Sequence, residues 1–414
     1  MLYIERLDLW QFRNFAQLSW DGLNQINLIV GQNGQGKSNL LEAIYYLSHG
    51  RSNRSSRDTE LIRHARGGLL DATVDDPFLG QGSRVALHLQ GGLDLEARFQ
   101  PDKVTSPTGF TSQKWKTQFL IDSQRCKSRS EIIGRLPSVS FYLSDLDIVR
   151  GMPQSRRRWL DLATVQRVPL HLEHLQIWKK TISEKSALLK QMDFPTPQTE
   201  QVELLDVLNH QLAAVAWRIL TNRLETLRLL QNHLPSLYQG LSQGHDGTPI
   251  LTYALHNWTD GLSFLSSLNE AEWVQACILH LREVMPQELR RQTVAWGVHR
   301  DDIGIHFVEN AQKVDVTTYA SQGQQRSVVI ALKLAELAML EASLGQSPII
   351  LLDDIMAELD ADRQAQLLQI FPQTSQVFLT TPYVDTQHQF HSLFAEKQSS
   401  LSAWQVESGS IRLV

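Results

Sequence analysis

VGQNGQGKSN, residues 30–39, decides how this chain is read. Gly31, four intervening residues and then Gly36-Lys37-Ser38 give the spacing that wraps a chain of phosphates. Glycines let successive backbone N–H groups converge on one anion, and the start of the following helix adds its dipole. Lys37 supplies a flexible point charge for the β- and γ-phosphates, and the Ser38 hydroxyl a hard oxygen for Mg²⁺. NQINLIV (24–30), before the glycines, is an apolar run of strand length. NLLEAIYYL (39–47), after them, places Leu40, Ala43, Ile44 and Leu47 at helical spacing. Strand, glycine loop and helix together are the context the motif requires. At average residue usage a chance match in a chain of 414 residues is on the order of one per cent. The expected nucleotide contacts are Gly31, Gln32, Asn33, Gly34, Gln35, Gly36, Lys37 and Ser38, with ATP and Mg²⁺ as ligands.

A phosphate loop needs a carboxylate at the end of a neighbouring strand to help hold the metal. SPIILLDDIMAELDADR (347–363) supplies it. Ile349 to Leu352 is a continuous apolar run, suited to a strand buried on both faces of a parallel sheet. It ends in Asp353, the expected Mg²⁺ partner of Ser38, and Asp354, placed where a general base would polarise an attacking water. By itself the pair would read as an ordinary acidic turn; beside a phosphate loop it reads as the second half of a site. The sheet therefore starts near the N-terminus and is completed near the C-terminus, so at least one domain is inserted between.

A second glycine motif precedes that strand: YASQGQQRSVVIALKLAELAMLEASLG (319–345). Ser321-Gln322-Gly323-Gln324 opens a strongly apolar helix that Gly345 and Pro348 close. A small polar residue and a glycine at a helix start form a second anion site. The plain alternative is an N-cap on a core helix. The economical arrangement for two such motifs is a head-to-tail pair, in which Ser321 to Gln324 of one chain cap the γ-phosphate held by another. ATP then joins two chains.

Composition narrows the class. Hydrophobic residues make up 42% and charged residues 20%, as in a well-cored globular protein. No apolar run reaches the roughly 18 residues of a membrane span. Glu5 and Asp8 interrupt the first apolar stretch, which argues against a signal peptide. Cys126 and Cys277 are the two cysteines, far apart and without metal-ligand spacing, so a reduced, cytoplasmic setting is expected. Net charge is −5, so any nucleic-acid binding must come from local patches. RSNRSSRDTELIRHAR (51–66), RCKSRSEIIGR (125–135) and SRRRW (155–159) are candidates, and each reads equally as solvated surface.

Residues 82–100 read as a hairpin around Gly91-Gly92 and 101–113 as a polar loop. Leu205, Leu208, Leu212, Val215 and Ile219 step by three and four, the seam of a helix pair, with 193–201 as a turn of that arm. IGIHF and VDVTTY (303–307, 314–319) read as a second hairpin. His299 to Asp302 receive no role. The expected fold is α/β, a P-loop ATPase head assembled from N- and C-terminal parts: residues 1–160, with the phosphate loop and a β-rich lobe, and 291–414. Residues 161–290 form an inserted, mainly helical arm.

The order of these motifs resembles the ABC-type ATPase heads of chromosome-maintenance and double-strand-break-repair proteins, and within them the RecF family of bacterial recombination mediators. The matching pieces include FRNF (12–15), the phosphate loop, Gly50-Arg51-Ser52 with Arg54, and RRRWLD (156–161). LDVLNHQLA (205–213), HRDD (299–302), the SQGQ helix, LLDDIMAELD (351–360) and QVFLTT (376–381) complete the set. Leu143, Ser144 and Val298 depart from the usual pattern of their segments. The resemblance adds Arg13 to the nucleotide contacts. It implies an ATP-dependent homodimer that binds single-stranded or gapped DNA and helps load a recombinase with RecO and RecR, in DNA repair, replication restart and the SOS response, with no membrane partner. Arg51, Arg54, Arg57, Arg156, Arg157 and Arg158 are the candidate DNA phosphate contacts. Asp354 stands where such heads commonly carry the longer Glu, which suggests slow, DNA-stimulated ATP hydrolysis. A transporter's nucleotide-binding subunit, a small-molecule kinase and a non-hydrolysing scaffold remain as alternatives.

Overall fold

The computed structural model describes residues 3–63, 82–105, 111–193, 197–242, 247–259, 261–309, 312–358, 361–382 and 400–414. They form two compact units, 1–143 with 340–414, and 144–339. The first unit holds two six-stranded sheets. One is ordered Ser410–Leu413, Leu401–Glu407, Ile26–Val30, Val377–Thr381, Ile349–Leu352, Ser138–Phe141. All its pairings are parallel except the terminal hairpin. INLIV, IILL and VFLTT are buried at every position, as suits strands covered on both faces, and of the three only IILL is wholly apolar. Ile26–Val30, from the start of the chain, lies between Leu401–Glu407 and Val377–Thr381, from its end. The Gln376 side chain ties them further, accepting from the Ile4 N–H (2.8 Å) and donating to the Ile4 carbonyl (3.0 Å).

The other sheet is antiparallel and contains the strands Ile4–Phe12, Phe15–Trp20, Ser83–Leu89, Leu93–Thr105 and Thr111–Ile121. Gly91 and Gly92, both with positive φ, make the expected hairpin turn. The polar stretch 101–113 is strand where it is described: Thr105 pairs with Thr111 at the end of a long ladder. Main-chain pairing carries this hairpin, so the absence of an apolar pattern hid it. The helix Lys37–His49 packs on both sheets. Leu40, Ala43, Ile44 and Leu47 are fully buried, and Tyr46 packs against Phe99 (5.4 Å, tilted) and stacks on Phe119 (5.7 Å) of the antiparallel sheet.

The second unit is mainly helical, with Pro153–Arg167, Leu170–Leu189, Thr199–Ser242 and Glu270–Arg291 as its long helices. Leu205, Leu208, Leu212 and Ile219 are buried; Val215 is half-buried and Ala216 takes the inward place, as the 3.6-residue period requires. Trp178, Trp258, Trp273 and Trp296 pack ring to ring, and His280 lies flat on Trp258 at 4.7 Å. A three-stranded sheet, Gln312–Asp315, Asp302–Glu309 and Thr248–Ala254, completes the unit. The hairpin expected to run to Tyr319 stops at Asp315. That carboxylate accepts the Thr318 N–H (2.9 Å) and turns Val316–Tyr319 into a short helix. Contacts divide the chain at 143/144 and 339/340, so residues 144–160 and 291–339 pack with the helical unit, beyond the 161–290 expected for it.

Candidate functional site

The phosphate loop follows the strand Ile26–Val30. Gly36 caps the next helix with φ 117°, and a Cβ there would lie 2.5 Å from the Asn14 amide, so glycine is required. Gly31 passes equally close to the strand Leu401–Glu407: a Cβ would sit 2.5 Å from the Val406 carbonyl oxygen. No side chain caps the helix start, so its first N–H groups and its dipole stay available to an anion. The Lys37 ammonium is buried and donates to the carbonyls of Gly31 (2.8 Å) and Gln32 (3.3 Å), which holds the charge under the loop. Gln32, Asn33 and Gly34 at the loop's tip are exposed.

Across 315 positions of sequence, the Ser38 hydroxyl donates to Asp353 Oδ1 at 2.8 Å. Thr380, on the strand Val377–Thr381, donates to the same oxygen at 2.9 Å and accepts the Asp354 N–H at 2.9 Å. Burial holds the Asp353 carboxyl above the usual carboxylate range in spite of those hydroxyl hydrogen bonds. Asp354 has φ 52°, a left-handed conformation that short Asp or Asn side chains tolerate. Hydroxyl and carboxylate oxygens are the donors a hard divalent cation takes. Among the described residues no group of three His, Cys, Asp or Glu could enclose a metal, so Mg²⁺ here would complete its shell with phosphate oxygens and water. Of AELD, Leu359 and Asp360 lie outside the described residues.

A second layer supports the loop. Arg13, at φ 53°, meets the fully buried carboxylate of Glu42 through two parallel bonds of 2.8 and 2.7 Å. It also donates to Ser55 (2.5 Å) and the Glu60 carbonyl (2.8 Å), while Ser52 donates to Glu42 (2.5 Å). Arg13, expected to touch nucleotide, ties the 51–62 segment to the phosphate-loop helix and also lines the cleft beside the loop. Removing one partner of such a buried pair strands the other charge, which costs about 3 kcal/mol or more. The Glu42→Ala protein accordingly melts several degrees lower, read by circular dichroism. Asn14 donates to the Gln35 carbonyl (2.7 Å) and accepts from Asn39 (2.8 Å), whose amide oxygen accepts from Arg54 (3.2 Å). These residues wall a cleft of about 630 Å³ beside the loop, together with Gln35, Ile62 and Arg63. Sequence reasoning missed Asn14, Glu42 and Thr380. FRNF and QVFLTT contained two of them, and the phosphate-loop helix pattern concealed the third among apolar neighbours.

The Ser321 side chain accepts the Gln324 N–H (3.2 Å) and the Gln324 side chain accepts the Ser321 N–H (2.7 Å), a reciprocal cap at the second glycine motif. Ser321 and Gln322 are exposed, Gly323 and Gln324 half-buried, all in the second unit.

The basic candidates divide. Arg54 lines the cleft, whereas Arg51 and Arg57 are exposed beside it in sequence. Arg156 is clamped bidentately to Asp302 (2.8 and 2.9 Å) and to the Gly151 carbonyl, and Arg157 donates to the Asp301 carbonyl. The charges of Arg156 and Arg157 are engaged within the unit, and Arg158 alone of the three is exposed. RRRWLD and HRDD thus meet. Arg223, almost wholly buried, bridges Asp161 (2.7 and 2.8 Å) and Tyr253 (2.9 Å), and the Tyr253 hydroxyl donates to Asp301 (2.9 Å). Burial raises Asp301 to about 6 and lowers His299 to about 4. The HRDD segment, left without a role, closes a structural polar network.

Phosphate loop, acidic strand end and reciprocally capped glycine helix, on these sheets, define an SMC-like P-loop ATPase head. A family model described as the RecF/RecN/SMC N-terminal domain matches residues 3–400. The DNA replication and repair protein RecF of Halalkalibacterium halodurans is 34% identical over 99% of both chains. That of Bacillus subtilis is 34% identical over 93% of this chain and 94% of its own. A solved structure of the recombination mediator protein RecF-ATP in the RecFOR pathway superposes with a TM-score of 0.80 at 25% identity, covering 100% of this chain and 98% of the other. The chain belongs to the RecF family of DNA replication and repair proteins. Transporter subunit and small-molecule kinase are not favoured by these relatives. No helix among the described residues is long and apolar enough to cross a membrane.

Proposed function

We propose that this protein is an ATP-gated DNA-binding switch of recombinational repair. The observation that carries the reading is the hydrogen-bonded chain Ser38–Asp353–Thr380–Asp354, which joins the phosphate loop to the acidic strand end. Loop N–H groups and Lys37 bind the triphosphate of ATP. Ser38 and Asp353 hold Mg²⁺, which neutralises phosphate charge when bound. Asp354 orients the attacking water, and hydrolysis is slow because its carboxylate is short. The cleft walled by Asn14, Asn39 and Arg54 takes the nucleoside. Ser321 to Gln324 complete the site of a second copy, so ATP makes a homodimer. Such a ligand shifts the population between open and clamped forms. The clamped form binds gapped or single-stranded DNA and works in the cytoplasm with RecO and RecR to load the recombinase, in repair, replication restart and the SOS response. Relatives named for DNA repair and for the RecFOR pathway support that setting.

The test is the Asp354→Asn protein, whose side chain suits the left-handed backbone. ATP hydrolysis falls on the order of a hundredfold, and fluorescence anisotropy finds it retained on gapped DNA with ATP while the parent dissociates. DNA affinity falls more steeply with salt in the ATP-bound form, because two copies contribute phosphate contacts. Unchanged hydrolysis removes Asp354 from the chemistry, and equal salt slopes with and without ATP remove DNA binding from the switch.

A further inference from the structure

We propose that Tyr319 of one copy stacks on the base of the nucleotide held by the other copy, closing the nucleoside cleft. The inference rests on the two-copy reading above and adds the part of the ligand that the second copy recognises. Tyr319 and Met152, each 74% exposed, are the most exposed large hydrophobic side chains among the described residues. The tyrosine is rigidly mounted. Val316 is fully buried, Thr317 donates to the Val149 carbonyl (3.0 Å), and Asp315 caps the short helix that Tyr319 ends. From the far side the buried Gln325 amide donates to the carbonyls of Val316, Thr317 and Ala320 (3.4, 3.2 and 3.1 Å) while accepting from Arg150 (2.6 Å). An exposed aromatic side chain on a pinned backbone, with no stacking partner among the described residues, offers a surface for a ligand.

The cleft lacks the complementary part. Arg13, Arg54, Arg63, Asn14, Asn39 and Ile62 line it, and none of its described lining residues is aromatic. Guanidinium planes or Ile62 can cover one face of a base, and its other face stays open in a single copy. Tyr319 is two residues before Ser321, so their Cα atoms are at most roughly 7 Å apart. A copy that brings Ser321 to the γ-phosphate therefore brings the Tyr319 side chain within reach of the same nucleotide. Stacking of a base on an aromatic ring is sequence-tolerant, and its loss weakens binding roughly ten- to a hundredfold.

Sedimentation velocity of the full chain tests this with Mg²⁺ and either a non-hydrolysable ATP analogue or inorganic tripolyphosphate, which has no base. The parent pairs at least about tenfold more tightly with the analogue. Tyr319→Ala removes that advantage, whereas Tyr319→Phe and Tyr319→Trp keep it. If Tyr319→Ala pairs as the parent does while Ser321→Arg fails to pair, the stacking role is overturned and the two-copy reading stands. If Ser321→Arg pairs normally, the two-copy reading itself falls and takes the inference with it. A parent that pairs equally with tripolyphosphate, or a Tyr319→Ala protein that loses pairing equally with both ligands, makes the ring a contact to protein and overturns base recognition.

Discussion

The Lys37→Ala protein loses ATP binding by more than a hundredfold. In the proposed site the Lys37 ammonium meets the β- and γ-phosphates, and truncating one partner of a desolvated charge contact costs about 3 kcal/mol or more, a factor above a hundred in affinity. The same nitrogen ties down the carbonyls of Gly31 and Gln32, so the loop also loses a strut. The surrounding helix keeps its core, because Leu40, Ala43, Ile44 and Leu47 make it independently of Lys37. Thermal melting close to that of the parent, with no measurable titration of ATP by calorimetry, is the expected pair of results. Normal affinity in a folded Lys37→Ala protein would show that the triphosphate is held elsewhere.

Replacing Ser321 by Arg separates binding from pairing. Ser321 caps its helix by reciprocal bonds with Gln324, and losing such a cap costs about 1 kcal/mol. That is small beside the effect on association, where a long cation replaces a small hydroxyl at the tip meant to meet a γ-phosphate and its Mg²⁺. The Ser321→Arg protein binds ATP as the parent does, since every residue of its phosphate loop is unchanged, yet stays monomeric in sedimentation with a non-hydrolysable analogue. Ser321→Ala loses the same cap without the bulk and still pairs, more weakly. A Ser321→Arg protein that dimerises with ATP would remove the motif from the interface.

The parts of the site that were legible are those whose chemistry is local. Glycine spacing dictates backbone shape within a few residues, and a fully apolar strand ending in two aspartates announces both its burial and its polar end. Ser38 and Asp353 could be paired in advance because metal binding demands such a pair. Thr380 could not, since a threonine at a strand end has many ordinary explanations. Glu42 was hidden for a related reason: one acid in an apolar helix reads as solvent-facing until Arg13 is seen closing on it.

Basic runs hid their partners for a similar reason. Arg156 and Arg157 looked free because charge in sequence carries no record of its partner, and their partners are 146 and 144 positions away. The hairpin through 101–113 escaped notice because backbone pairing, unlike side-chain burial, leaves no apolar alternation.

Order along the chain by itself determined the class of fold, the phosphate loop, the acidic strand end and the glycine helix, because each depends on dihedral freedom or burial set by neighbours in sequence. Tertiary structure alone decided which charges remain available. Arg156 went to Asp302 and Arg223 to Asp161, Arg13 paired with Glu42 at the edge of the cleft, and Arg54 lines the cleft beside it. A guanidinium's function is set by whichever carboxylate folding brings within about 3 Å, and that distance exists only once distant segments have packed.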